Sequence, residues 1–481
     1  MKNIQYILTV TCIFTFINFF GQGVSDNSNQ YQKDEFEDRI NFLMDSIGIP
    51  AVSLGLISDG KIQFYKNFGI ANSEEKQKLK TDAMFEACSL SKTFLAYKLF
   101  QLIEKCDLSL EDPISKYLPK SELQGSTFFE QITVGMLLNH TAGIENWKSN
   151  NDPDRLEIIE EPGTAFTYSG EGYRYLSLII AEIEGSDYET YMSSLFDQLG
   201  LRNTTVKYSA KDKGDYVTGH NLFLEPLKKW NPDKAVPASS INTTAKDYAK
   251  FLLALFEKGE LNNQSISEIL KPQKEIFKDE TSAYFAGNGF FLIENKNDTL
   301  VNFSGANTGF KADMLYSPKK RSGFILLTNS ELGILLSPLV NEITSKLEAD
   351  IWYDNPDFRE LSQIAELSII YRQSGIEELK NKIFELRESE YKDGVFTYLL
   401  YKLYEYNPKD AGLLADLIIK LWPNKPYPHV VLGKVEWREY SNLKAAESSF
   451  MRAKENNYQG KELEGFIQEI EKELNIKKNK I

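Results

Sequence analysis

Hydrophobic and polar positions recur with two different periods along this 481-residue chain. Between Asp34 and Ile47 the apolar residues Phe36, Ile40, Phe42, Leu43 and Ile47 return at helical spacing. From Ala51 to Ile57 the period shortens to two, with Val52, Leu54 and Leu56 on one face. Asp59-Gly60 is a hairpin signal, and Ile62 to Phe68 returns as a second strand. Residues 89 to about 285 predict mostly helix and loop, with helical runs at 89–104, 132–138, 172–195 and 244–257. Strands resume near 288, over Gly289–Glu294, Thr299–Phe303, Phe310–Tyr316 and Gly323–Thr328, and a helix from Ile334 to Glu348 closes the segment. The expected fold class is α/β: an antiparallel sheet flanked by helices, its strands drawn from both ends of the segment, with a helical region inserted between them.

Asp350 to Asp357 reads as a boundary. Beyond it strand patterns vanish, and Asn407-Pro408 and Pro426-Tyr-Pro428 punctuate successive helices. Leu432-Gly433, Tyr440, Ala446, Phe450 and Ala453 resemble the small/large pattern of a tetratricopeptide repeat, with the Leu-Gly pair one residue out of step. Residues 358–476 are therefore expected to be an all-α C-terminal domain. It is a candidate platform for a protein partner, or else a domain that only packs on and stabilises the rest. At the other end, Lys2, the apolar run Ile4–Phe20 and the small residues around Gly21-Gln-Gly23 match a secretory signal over 1–23, with an uncleaved anchor as the alternative. Export to the periplasm or the medium follows, and no membrane span is expected beyond this leader.

Composition narrows the function classes. A net charge of −14 speaks against nucleic-acid binding through a broad basic surface. Three histidines, with no His-Glu-x-x-His and no Cys-x-x-Cys, give little support for a metal site, and neither a Walker loop nor a Gly-x-Gly-x-x-Gly is present, so no cofactor is expected. After removal of the leader only Cys88 and Cys106 remain. A helix between them would span roughly 25 Å at 1.5 Å per residue, too far for a disulfide, so two free, mostly buried thiols are expected.

The chemistry concentrates at Ser89-Leu90-Ser91-Lys92, where a polar turn gives way to the apolar run 93–103. Residues three apart share one helix face, which sets the Lys92 amine beside the Ser89 hydroxyl. Serine is a poor nucleophile until a base takes its proton, and a lysine kept neutral by burial can be that base. The helix start also offers free N–H groups to an oxyanion. Ser-x-x-Lys alone is common, so its weight depends on what accompanies it.

Three further signatures follow in order: Leu137-Leu-Asn-His-Thr-Ala-Gly143, then Pro162-Gly-Thr-Ala-Phe-Thr-Tyr168-Ser-Gly170, then Phe303-Ser-Gly-Ala-Asn-Thr-Gly-Phe310. Together the set resembles the serine β-lactamase and penicillin-binding-protein-like superfamily, nearest its class C-like branch, which also holds esterases and D-amino-acid peptidases. The resemblance runs from about Phe36 to Glu348, giving an expected β-lactamase-like domain over 34–349. It implies Ser89 as the acylated nucleophile, Lys92 as its proton partner and Tyr168 as a general base that returns the proton to the leaving group. It places the oxyanion between the N–H groups of Ser89 and Ala306, with Ser304 and Gly305 on the strand edging the site. A tyrosine base needs positive charge nearby, which Lys92 would supply. The His140 loop is mainly architectural in such proteins, and His220 and His429 are expected to serve local hydrogen bonding.

Two departures bear on the substrate. The resemblance calls for Asn at the position of Gly170, where its amide would meet the substrate's acylamino group, and for Lys or His at Phe303. Asn307-Thr-Gly309 is a rival alignment for the second motif, and Lys311 is a nearby charge. The expected function is an exported serine hydrolase acting on a small-molecule ester, amide or peptide through an acyl-enzyme. The alternatives are a non-catalytic protein that binds peptides or peptidoglycan fragments, and a β-lactamase or D,D-carboxypeptidase.

Overall fold

The protein is described here by a computed structural model covering residues 29–119, 122–123, 126–148, 156–210, 216–386 and 393–478, so the leader lies outside the described residues. They form two compact units, one over 39–355 and the other joining the residues before Arg39 to those from Pro356 on. In chain order, α1 (Asn29–Ile47) precedes β1 (Ala51–Ser58), β2 (Lys61–Asn72), β3 (Gln77–Lys78) and β4 (Phe85–Glu86). A 3-10 turn over Cys88–Leu90 enters α2 (Ser91–Glu104). There follow α3 (Val134–Leu138), α4 (Gly170–Glu184), α5 (Tyr188–Gln198), β5 (Asn242–Thr243), α6 (Ala245–Phe256) and α7 (Asn263–Ile269). The segment ends with β6 (Lys274–Lys278), β7 (Ser282–Ala286), β8 (Phe291–Asn295), β9 (Thr299–Asn307), β10 (Phe310–Ser317), β11 (Ser322–Thr328), α8 (Ser337–Ile343) and α9 (Asp350–Tyr353).

Nine strands make one antiparallel sheet in the order β3-β2-β1-β11-β10-β9-β8-β7-β6. The first strands of the chain thus pair with the last, as β1 lies against β11 with Leu54 opposite Leu326. The alternation at 51–57 marks only part of this burial. Strand β1 is buried on both faces, because α6 covers the second one, and Gly55 lets the Ala245 backbone approach to within 3.0 Å of where a Cβ would stand. Helix α2 is buried along most of its length, from Phe94 to Leu102, and Phe94 packs on Phe196, Tyr248 and Phe251 at 4.3–5.4 Å between ring centres. A helix that is apolar nearly all round belongs in a core, and this one carries the Ser-x-x-Lys motif into it.

Several expectations are corrected. The run 172–195 is two helices, because Gly185 (φ 65°) ends α4 in the left-handed region and Asp187 caps α5 by accepting from the Thr190 N–H. Strands β6 and β7 lie where mostly helix and loop were expected. They form the edge of the sheet with mainly half-exposed residues, so neither carries a clean apolar stripe. The closing helix is shorter, from Ser337 to Ile343, since the Asn341 side chain binds both the N–H and the carbonyl of Leu347 and curls the chain away. Cys106 is exposed rather than buried, one turn past the apolar face of α2, whereas Cys88 is buried.

The second unit is all helix: α10 (Pro356–Glu385, broken at Gly375, φ 78°), α11 (Asp393–Tyr406), α12 (Pro408–Leu421), α13 (Pro426–Arg438), α14 (Leu443–Glu455) and α15 (Glu462–Lys478). Val430, Ala446, Phe450, Ala453, Ile467 and Ile470 share one core, and a Cβ on Gly433 would fall 2.5 Å from the Phe450 ring. The small residue is there to admit the large one.

Asp313, on β10, is a fully buried acid of the first unit, with Asn302 donating to its carboxylate at 3.3 Å and Tyr284 donating to Asn302 at 3.0 Å. Burial pushes its carboxyl up from 3.8 to about 7. Between those values the folded chain holds a proton that the unfolded chain has lost, so this group's contribution to stability falls as pH rises. Asp313→Asn removes that dependence. The stability gained over wild type, measured by urea unfolding, is expected to grow from pH 4 to pH 8 by an amount on the order of a few kcal/mol.

Candidate active site

The turn that carries Ser89 is built by backbone pairing. Strand β4 pairs with β5, and the Ala87 N–H donates to Ile241 at 2.8 Å. Cys88 turns the chain in the left-handed region (φ 50°), a conformation that only a well-packed surrounding holds for a non-glycine residue. Ser91 Oγ locks the turn by donating to the Cys88 carbonyl at 2.6 Å and accepting from the Ile241 N–H at 3.2 Å. Ser89 therefore sits in a 3-10 turn two residues ahead of α2 rather than inside the helix, half-buried while Cys88 and Leu90 are fully buried.

Lys92 lies one turn further in, fully buried, with its Nζ 3.2 Å from Ser89 Oγ and donating to the Ala238 carbonyl at 2.9 Å. The Tyr168 hydroxyl donates to Ser89 Oγ at 2.9 Å. The structure thus brings Ser89, Lys92 and Tyr168 together on one oxygen. Burial lowers the Lys92 ammonium from 10.5 to about 7, so at neutral pH a large share of the amine carries a lone pair. The same burial pushes the Tyr168 phenol up to about 12, opposite to what a resting phenolate needs. With Tyr168 donating to Ser89, the serine's own proton has the amine lone pair as its acceptor.

His140 fixes Tyr168 from behind. Its carbonyl accepts from the Thr167 N–H at 2.7 Å, its Nδ1 accepts from the Ser169 N–H at 3.1 Å, and its ring stacks on Tyr168 at 4.4 Å. Burial holds this imidazole well below the usual histidine range, which leaves it neutral. It touches the hydrogen-bonding frame of Tyr168 and not Ser89. His220 and His429 are elsewhere: His220 accepts from the Ser73 N–H and pairs with the Asn329 carbonyl, while His429 pairs with the Pro423 carbonyl.

The second wall is β9. Lys311, opposite Ala306 on β10, has its carbonyl bound by Thr328 Oγ1 of β11, so residue 311 turns its peptide groups toward β11. Antiparallel pairing alternates, so Ala306 and Ser304 turn theirs to the other edge. There β8 pairs with β9 only as far as Asn302, which leaves 303–307 an unpaired edge. Gly305 faces the Ser89 turn: a Cβ there would fall 2.6 Å from the Ser89 nitrogen and 2.7 Å from the Cys88 Cβ. Phe303 is buried against Phe291 at 5.2 Å, which in turn stacks on Tyr168. The rival triad Asn307-Thr-Gly309 lies at the hairpin end, where Asn307 donates to Glu86 at 2.7 Å and to the Ser239 carbonyl at 3.2 Å. Glu86 is also paired with Lys229 at 3.0 Å.

Ala238, Glu86 and Lys229 were not candidates from sequence, and Asn307 was one only through the rival motif alignment. Ala238 acts through its carbonyl, which leaves no mark on residue choice, and the other three meet only across segments far apart in the chain. Gly170 has a steric reason absent from the sequence reading: a Cβ there would lie 2.5–2.8 Å from the six-membered ring of Trp147.

The profile of the Beta-lactamase family matches residues 36–336. Penicillin-binding protein 4* of Bacillus subtilis (strain 168) is 26% identical over 309 residues, covering 56% of this chain and 66% of that protein. A protein named Beta-lactamase from Psychrobacter immobilis is 26% identical over 346 residues, 63% of this chain and 84% of the relative. This chain thus spans just under two thirds of the first relative's length. Among solved structures, a class C β-lactamase superposes with a TM-score of 0.58 at 23% identity, over 67% of this chain and 100% of that one. The octameric penicillin-binding protein homologue from Pyrococcus abyssi gives 0.56 at 22% identity, over 69% and 81%.

Because Gly305 must stay bare for β9 to lie against the Ser89 turn, Gly305→Ala is expected to push the two apart. Labelling of Ser89 by a fluorophosphonate should slow about 100-fold or more, while circular dichroism stays that of wild type.

Proposed function

This chain belongs to the Beta-lactamase family, and we propose that it is a serine hydrolase cleaving an ester or amide through an acyl-enzyme on Ser89. The observation that carries the reading is the convergence of Lys92 and Tyr168 on Ser89 Oγ at 3.2 and 2.9 Å. On this reading Lys92, neutral near pH 7, takes the Ser89 proton as Oγ attacks the carbonyl carbon. The carbonyl oxygen gains the negative charge and is met by the N–H groups of Ser89 and Ala306. When the bond to the leaving group breaks, Tyr168 gives that group its proton and recovers one from Lys92. Water then attacks the acyl carbon by the same route, releasing the acid and restoring Ser89.

Gly170 and the buried Phe303 leave neither an amide nor a cation at those two positions. This favours esters or small amides over β-lactams and peptide carboxylates. The same two losses motivate the second reading, a non-catalytic binding protein for peptides or peptidoglycan fragments. On the leading reading residues 34–349 are the hydrolase domain and 358–476 a separate helical domain, of tetratricopeptide-like kind, that could engage a protein partner. The leader 1–23 directs export. Among the described residues no helix is long and apolar enough to cross a membrane.

Ser89→Ala is expected to lose fluorophosphonate labelling. Ser91→Ala should keep it but unfold more easily, since its hydroxyl only braces the turn. A folded wild type that is neither labelled nor active on short acyl esters would favour the binding protein. Acylation by a fluorescent penicillin would favour a β-lactamase or D,D-carboxypeptidase.

The pH profile tests the role of Lys92. Its lowered value means that the base form is lost as pH falls through about 7. Thus kcat/KM on p-nitrophenyl acetate should drop about tenfold per pH unit below that point and level off above it. Lys92→Arg, which stays cationic, should lower kcat about 100- to 10,000-fold at every pH.

A further inference from the structure

The space over Gly170 is filled by an aromatic ring. A Cβ on this buried glycine would meet Cη2, Cζ2 and Cζ3 of Trp147 at 2.5, 2.7 and 2.8 Å. The indole is held there by its own loop. Asn146 accepts the Gly170 N–H through Oδ1 at 2.8 Å and takes the Gly170 and Glu171 N–H groups on its carbonyl at 3.1 Å. Ser169 Oγ donates to the Glu145 carbonyl at 2.9 Å. On the far side Lys148 is paired with Glu122. Residues 145–148 are thus pinned on both sides of the tryptophan, and the side chain is still 47% exposed.

The ring is fixed in one orientation over Gly170, two residues along from the tyrosine that touches Ser89, with about half of its surface left to water. A rigid ring costs little ordering entropy when a flat apolar group stacks on it. We propose that the exposed part of Trp147 is a substrate platform, selecting esters or amides that carry an aromatic or flat apolar group next to the scissile bond. Gly170 is the residue that makes room for it. The proposal rests on the hydrolase reading above and names its substrate class. The flat group could sit on the acyl or on the leaving-group side.

The test uses the whole chain and two pairs of esters. The acyl pair is p-nitrophenyl phenylacetate against p-nitrophenyl acetate, and the leaving-group pair is benzyl acetate against ethyl acetate. In Trp147→Ala the phenylacetate-to-acetate ratio of kcat/KM should fall about tenfold or more, and in Trp147→Phe it should stay within about threefold of wild type. Gly170→Ala, which drives a methyl into the indole, should lower the ratio without removing an aromatic residue, and it serves if Trp147→Ala does not fold. A fall confined to the benzyl-to-ethyl ratio also supports the platform and assigns it to the leaving group. If Ser89 is labelled by fluorophosphonate in wild type and variants and neither ratio moves, the platform is overturned while the hydrolase stands. If wild-type Ser89 is not labelled, it is the hydrolase reading that fails.

Discussion

A lysine amine buried without a carboxylate beside it is the constraint on which the rest of the site depends. Full burial makes the charged form of Lys92 costly, and its two acceptors, Ser89 Oγ and the Ala238 carbonyl, are neutral. An acid in contact would have held the amine protonated. Instead the chain surrounds it with the rings of Tyr168 and Tyr173, whose faces lie 4.9 and 5.6 Å from Nζ and give only weak electrostatic support.

Everything around this amine is arranged so that it cannot reach water. Helix α2 runs through the core of the first unit with apolar residues nearly all round, and the aromatic cluster of His140, Tyr168, Phe291 and Phe303 packs beside it, with the Tyr168 ring against Lys92. Phe303, where the resemblance called for Lys or His, is buried against this cluster. The edge of β9 is then the open side, with the peptide groups of Ser304 and Ala306 unpaired beside a half-buried serine. The buried Glu86, with Asn307 and Lys229, ties the end of that strand to the residue three before Ser89.

Much of this was legible in residue order. The Ser-x-x-Lys spacing places two side chains on one face whether the turn is 3-10 or α, and the Asp59-Gly60 hairpin needs only local geometry. The sheet drawn from both ends of the segment followed from strand patterns at 51–68 and 289–328. The misses have a common cause. Strands β6 and β7 are half-exposed edge strands, the break at Gly185-Ser-Asp187 is a cap pair inside an apolar run, and the curl after Ile343 depends on one asparagine side chain.

The sequence by itself determined which side chains are candidates for the chemistry, because serine, lysine and tyrosine are residue types at recognisable spacings, and it determined the alternation that makes the sheet. Only the tertiary structure decided their protonation, because burial is a property of what surrounds a group. Tertiary structure alone also seated the Ala238 carbonyl on Lys92 and the Trp147 ring over Gly170. Those contacts join segments 146 and 23 residues apart, and no local pattern encodes the distance between them.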